Sequence, residues 1–354
     1  MILNNTMHTA PSYSQQQLFP AISGDYLFIY FIPFIAIVSG LCAYLIPDWF
    51  EWILIADLWI LGYHHVISTF TRIGFDKKSA RENWFFLAPL PLMIIAVVCL
   101  IYSFTNAALI GSVYLYWQWY HYSRQSEGVA KSYGMKGQCK VFATHSGQRI
   151  AFYLVPFTTF VYMISAGHSH FLGIPIWTVA LPESVRLVLL AICFSAIIYW
   201  MINGTRALLR KEITPFYFGY VLTHFFIYTL SYVVINDINC SWLTINIWHN
   251  AQYIGFVWLF NRKRYATGIE KDHRVISFLS QPGRLLIYLG ACFTLSTVIY
   301  FNLEAIVAST TLSTGLPLAL LIYATINFHH YIVDSQIWKL RKPAIQKNLL
   351  ETQG

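Results

Sequence analysis

The sequence predicts an all-α, polytopic membrane helix bundle from its composition, its apolar runs and the placement of its charges. Of 354 residues, 57% are hydrophobic, 18% aromatic and only 11% charged, whereas soluble domains carry about 25% charged residues. Apolar windows long enough to cross a bilayer as helix, about 19–20 residues each, recur at roughly ten places. Lipid offers no partner for an unpaired backbone group, so such runs must be helical. The strand alternation of an outer-membrane barrel is absent. All 23 basic residues except Arg186 fall in alternate connections or at the helix ends beside them. The remaining connections carry Asp48, Glu51, Glu183, Asp237 and Glu304. The positive-inside rule then gives about ten spans with both termini cytoplasmic. The formal charge of +8 reports topology, and no nucleic-acid partner is expected.

The expected spans, in order, are 26–46, 51–72, 84–104, 106–126, 150–167, 184–203, 214–235, 241–260, 284–301 and 315–338. Basic loops at 73–83, 127–149, 204–213 and 261–283 separate them on one side. Residues 1–25 contain no Lys or Arg and include a Ser-Gln-Gln-Gln run, which predicts a disordered lead. They lack the basic region and short apolar core of a secretory signal, so 26–46 reads as a retained span. Residues 26–338 form one transmembrane domain, and 339–354 form a basic cytoplasmic tail. The six cysteines are scattered singly, which supports neither a disulfide frame nor a thiolate metal site. The expected location is a bacterial cytoplasmic membrane, with the bilayer as the chain's first partner.

Polar residues inside spans are costly in hydrocarbon, so they are where function is sought. Four spans share a pattern: "YHHVISTFTR" with His64 and His65, "WQWYHYSRQSEG" with His121, Arg124 and Gln125, "NIWHNAQY" with Asn246, His249, Asn250 and Tyr253, and "NFHHYIVD" with Asn327, His329, His330 and Asp334. Residues three, four and seven apart share a helix face. Asn246, His249, Asn250 and Tyr253 therefore make one stripe, Asn327, His330 and Asp334 another, and His121 faces Arg124 and Gln125. All four spans run towards the basic side. His64 and His65 precede Arg72 by seven or eight residues and His330 precedes Lys339 by nine, which places them roughly 10–14 Å from the basic boundary.

Several imidazoles at one depth fit a metal centre built from facing helices. The candidate ligands are His64, His65, His121, His249, His329 and His330, with His224 in reserve. Asp334 is a ligand or a partner behind one, Asn250, Asn327 and Gln125 orient rings or water, and Tyr253 is a ligand, a proton donor or a neighbour of His249. Arg124 is a clamp for a substrate anion or an interfacial anchor. His8, His145 and His273 fall in the lead or in loops, and His168 and His170 in "GHSHFLG" read as exposed polar residues.

The order and spacing of these motifs resemble the bacterial membrane β-carotene dioxygenase (Brp/Blh) family. The corresponding stretches are "HHVIS" from His64, "HYSRQS" from His121, "HNAQY" from His249 and "HHYIVD" from His329 to Asp334. Ser68, Ser126 and Tyr253 stand where that family's motifs carry an acid, an acid and a second histidine, and the doubled histidines offer replacement ligands. The resemblance implies a polytopic non-haem iron enzyme, copper or zinc being the other metals such a site would take. The expected function is an oxygenase, hydroxylase or desaturase acting on a hydrophobic small molecule or lipid, supplied by an electron-donor protein where the chemistry requires one. A proton- or metal-ion-coupled transporter and a bis-histidine haem electron carrier remain alternatives.

Overall fold

A computed structural model describes residues 17–139, 146–235, 237–314 and 317–350. Residues 1–16 of the expected lead, together with His8, His145 and residues 351–354 of the tail, lie outside them. From Leu18 the chain is packed: Leu18 is buried, and its N–H donates to Asp25 Oδ1 at 3.0 Å.

The fold is all-helical apart from a two-stranded hairpin. Long helices occupy every window where a span is expected. They are α1 Ile22–Leu45, α2 Pro47–Ile73, α3 Trp84–Phe104, α4 Ala107–Lys136, α5 Ser146–Ile164, α6 Glu183–Leu209, α7 Pro215–Val234, α8 Ile238–Arg264, α9 Leu285–Thr314 and α10 Leu318–Ile337. Among the described residues, six of these (α1, α2, α3, α6, α7 and α9) are by themselves long and apolar enough to cross a membrane. Three of the others, α4, α8 and α10, carry the polar stripes, which lower their apolarity. The apolar helices turn large side chains outward, among them Leu92, Leu187, Leu286 and Phe301, each more than half exposed. A hydrocarbon-facing surface of this kind marks a membrane protein.

Helix starts follow local chemistry. Asn106 caps α4 by accepting from the Ala108 and Leu109 N–H groups, and Asp237 caps α8 by accepting from Cys240. Thr214 caps α7, with Pro215 at the first helical position. α8 is buried along nearly all its length from Ile238 to Asn261 and packs on α1, α2 and α7. Its approach to α1 is possible because Gly40 leaves room for Thr244; any Cβ there would collide with that side chain. α10 closes the arrangement by packing on α2, α3, α4 and α9. α2 contains one π-helical turn, Leu58–Gly62, immediately before its histidines. Such turns shift the faces on either side of them and are frequent at functional sites.

The hairpin pairs His170–Phe171 with Ile174–Pro175, antiparallel, around Leu172 and Gly173 at positive φ. It lies at the end of the bundle opposite the basic loops. Phe171 packs edge-on against Trp242 at the start of α8. His170 is exposed and bonds Ser169, whereas His168, expected to be exposed as well, is half-buried.

At the basic end, Glu127 joins α4 to α5. Its buried carboxylate meets Lys131 at 2.6 Å, Arg124 and Arg149 at 3.0 Å, and the Tyr153 hydroxyl at 2.6 Å. Burial pushes this carboxyl up, but hydrogen bonds from Lys131 and Tyr153 and the charges of Lys131 and Arg149 outweigh it. The group is held below its ordinary value of 4.5. A carboxyl depressed in the folded state stabilises fully above its unfolded pKa, and that contribution is lost as pH falls through the folded value. Protection of the α5 amides, taken as exchange relative to the intrinsic rate at each pH, should therefore fall in acid below about pH 4.5. In Glu127→Gln the same amides should be less protected at neutral pH, by about 1–3 kcal/mol, and insensitive to acid; equal protection in both proteins would show that the cluster does not tie the helices together.

Candidate metal centre

α2, α4, α8 and α10 each carry one histidine into a common point. His65, His121, His249 and His330 are all buried, and one nitrogen from each lies within 4.8 Å of the others. His65 Nε2 and His330 Nε2 are 2.6 Å apart. The His121 ring lies 5.0 Å from that of His249 and 5.1 Å from that of His330, centroid to centroid. They meet from different positions along their helices: His65 and His330 lie in the second half of α2 and α10, His121 at the middle of α4 and His249 slightly nearer the start of α8.

The doubled histidines are resolved by helical geometry. Adjacent residues on a helix point about 100° apart and cannot face one centre. His65 and His330 turn inward. His329 Nε2 instead meets the Phe86 carbonyl at 2.6 Å, and His64 bonds the Ile60 carbonyl one turn back. His64 and His329, both expected as possible ligands, therefore lie outside the four-histidine cluster. The reserve candidate His224 does too: its nitrogens are engaged by Ser126 Oγ at 2.9 Å and by the Phe152 carbonyl at 3.0 Å, and its ring stacks on Phe152.

Behind His330 stands a connected set of partners. Its Nδ1 is 3.0 Å from Thr69 Oγ1, which is 3.4 Å from Asp334 Oδ1 and 2.8 Å from the Tyr253 hydroxyl. Tyr253 donates to Asp334 at 2.6 Å and accepts from the Trp338 indole N–H at 3.1 Å. With its proton to Asp334, the tyrosine ring lies against His65, 4.1 Å between centroids. If Nδ1 of His330 donates to Thr69, its Nε2 presents a lone pair to the cluster, the tautomer a metal needs. Asp334 Oδ2 is 3.5 Å from that Nε2, at the cluster's edge.

A second set stands behind His249. Tyr122 lies against its ring at 4.1 Å and donates to Asn246, whose amide donates to Asp57 at 2.5 Å. Asn250 reaches the same carboxyl at 3.5 Å, and Gln125 donates to the His249 carbonyl at 3.2 Å. Asn250 and Gln125 thus brace α8 without touching a ring nitrogen. Asn327 donates to the Tyr323 carbonyl of its own helix and faces the cavity described below. Arg124 pairs with Glu127 three residues on, at 3.0 Å, with its side chain half-exposed at the basic end.

Sequence reasoning missed Thr69, Asp57, Tyr122 and Trp338. Thr69 lies four residues after His65, the same spacing that found Asn250 and Asp334. Asp57, eight residues before His65, is an acid within an apolar window, a signal that was there to be read.

The donor set fits a transition metal. Buried polar atoms are normally partnered, yet His65 Nδ1 and His121 Nε2 are buried without a partner among the described residues. Two nitrogens bound to one ion at about 2.0–2.1 Å each stand at most about 4.2 Å apart. The observed spread of 4.8 Å closes with side-chain shifts of a few tenths of an ångström. Four neutral imidazoles suit iron, copper or zinc.

Comparison with known protein families, curated proteins and solved structures finds no match.

The cluster forms one end of a cavity of about 540 Å³ lined by His65, His249 and His330. From there it runs towards the hairpin, past Leu58, Trp242, Leu320 and Tyr323, to Leu172 and Ile174. Along α10 its lining spans Pro317 to Tyr331, about 20 Å at helical rise. Apart from the histidines, the amides Gln118, Asn246, Asn250 and Asn327 and several tyrosines, its wall is apolar, and no Lys, Arg, Asp or Glu among the described residues lines it.

His65→Ala, His121→Ala, His249→Ala and His330→Ala should each abolish stoichiometric metal in detergent-purified protein, whereas His64→Ala and His329→Ala should keep it. Elemental analysis of the six variants decides; metal surviving the first group would disperse the site. Asp334→Asn should weaken the metal roughly ten- to a hundredfold, measured by chelator competition, and an unchanged affinity would free Asp334 from any part in it.

Proposed function

We propose that this chain is a membrane-embedded, metal-dependent oxidoreductase, a non-haem iron oxygenase, hydroxylase or desaturase acting on a lipophilic substrate. Its ten long helices are read as spans, with both termini in the cytoplasm of a bacterial cell and the site nearer the inner leaflet. The observation that carries the reading is the placement of four buried imidazoles at one end of a long apolar cavity. A cavity without charged lining favours hydrocarbon and resists ions. Amides and tyrosines lie along the wall, but among the described residues it offers a migrating ion no carboxylate or ammonium partner. Iron is preferred for the resemblance of the four histidine motifs to the membrane β-carotene dioxygenases and for the carboxylate of Asp334 at the cluster's edge.

When bound, iron supplies the redox chemistry that activates dioxygen and an unreactive carbon centre. The protein's own groups do the rest. His65, His121, His249 and His330 hold the ion, while Thr69, Asp334 and Tyr253 hold His330 and His65 in place. The cavity wall keeps water from the reacting carbon and aligns the substrate along the bundle. The Tyr253 hydroxyl, bonded to both Asp334 and Thr69, holds a proton and is linked through Thr69 to His330. A hydroxylase or desaturase also needs electrons, and the basic face suits an acidic donor protein.

Purified protein should contain stoichiometric iron, show no Soret band, and consume dioxygen when supplied with membrane lipid extract. His249→Ala should lower that uptake at least a hundredfold. Metal-free wild-type protein that passes protons or cations in vesicles would replace this reading with transport.

A further inference from the structure

The long cavity carries a polar feature that the metal site does not use. Tyr63 and Tyr323 line it, and their hydroxyls are 2.9 Å apart. Each is also 3.3 Å from Glu304 Oε1 on α9. Tyr63 is held flat against Tyr300, 3.7 Å between centroids, so its hydroxyl is fixed in direction. Elsewhere in the wall, two of the amides are engaged with neighbouring side chains. Gln118 is taken by Trp242, Tyr114 and Tyr122, and Asn246 by Tyr122 and Asp57.

We propose that Tyr63, Tyr323 and Glu304 form a recognition site for a hydroxyl group on the substrate, making the ligand an elongated lipophilic alcohol. The identity of the group follows from counting protons. Two phenolic protons serve the three contacts within the trio, so both are spent internally and what remains is lone pairs. A ligand group must then donate, as an alcohol does and a ketone, aldehyde or ester does not. An ammonium also donates and would meet the Glu304 carboxylate, so hexadecan-1-amine is the competing ligand in the test, and a preference for it over the alcohol overturns the proposal. Seven residues separate Tyr323 from His330 on α10, a rise of about 10 Å. The trio would therefore act as a ruler, setting the reacting carbon roughly that far from the oxygen. What happens at that carbon rests on the oxidoreductase reading; recognition of the hydroxyl does not.

The test is equilibrium binding of radiolabelled hexadecan-1-ol, hexadecan-1-amine and hexadecane to purified protein, corrected for partition into empty detergent micelles. Wild-type protein should prefer the alcohol by about tenfold, the scale of one well-made hydrogen bond. Tyr63→Phe and Tyr323→Phe retain their rings and the stack on Tyr300. Each should reduce the preference, and the double variant should abolish it while alkane affinity and iron content stay unchanged. Glu304→Gln, on an exposed helix face, should reduce the preference with no risk to the core. Equal binding of alcohol and alkane to wild-type protein, or a preference that survives the double variant, overturns the proposal. Protein that lacks iron but keeps the preference refutes the metal reading alone.

Discussion

The constraint on which this structure rests is the cost of placing imidazole rings among hydrocarbon. A neutral imidazole carries one donor and one acceptor, and neither has a partner in lipid. Four of them converge here, so the helices that bear them must face one another, with the apolar helices on the outside. α8 is consequently buried along almost its whole length, and α2, α4 and α10 gather round it. α3, α6 and α9 present their apolar side chains outward. Much of the uneven apolarity of the helices follows from the site: of the four that hold it, only α2 is by itself apolar enough to cross a membrane.

The same cost explains the groups behind the rings. Two buried chains of hydrogen bonds run through the bundle, and each begins at an indole N–H, which can only donate. One passes from Trp338 through Tyr253 to Asp334, and the other from Trp242 through Gln118, Tyr122 and Asn246 to Asp57. Both end on a carboxyl group, which in its ionised form can only accept, so the direction of every bond between is fixed. Each chain also presses a tyrosine face against a cluster histidine, Tyr253 on His65 and Tyr122 on His249. Ring orientation is thereby set by groups that make no bond to the ring nitrogens. His224 meets the same demand with a serine and a backbone carbonyl, and His329 and His64 each bond a backbone carbonyl, the Nε2 of His64 being left without a partner among the described residues.

Helical periodicity made much of this legible in the sequence. Spacings of three, four and seven placed Asn246, His249, Asn250 and Tyr253 on one face, and distance from the basic helix ends placed the histidines of four segments at similar depth. Periodicity alone could not decide between His64 and His65, because the π-helical turn at Leu58–Gly62 resets the face of everything after it. Nor could it place Arg124, a long side chain whose partner Glu127 lies outside the expected span. Asp57 escaped because its neighbours in sequence are all apolar, and its amide partners arrive from a helix nearly two hundred residues away. Contacts of that kind follow from packing, which a one-dimensional pattern does not contain.

The two sides of the cluster differ in a way that bears on how a reaction there could be organised. Towards the hairpin lies the apolar cavity. Towards the basic loops the rings are closed off by Trp338, whose face receives the Arg72 guanidinium at 4.7 Å while Phe260 receives it at 3.8 Å. An arginine held between two aromatic faces keeps its charge at the edge of the buried region, and its Nε and Nη1 are buried without a hydrogen-bond partner among the described residues. Hydrocarbon and charge thus approach the histidines from opposite ends of the bundle. A substrate arriving from the apolar side passes the network that ends on Asp57, whose Trp242, Gln118, Tyr122 and Asn246 line the cavity, but not the one that ends on Asp334. Protons or electrons arriving from the basic side would meet Trp338, Tyr253 and Asp334 before they met the rings. That separation is what a site handling a water-insoluble substrate and a water-derived proton at one point requires.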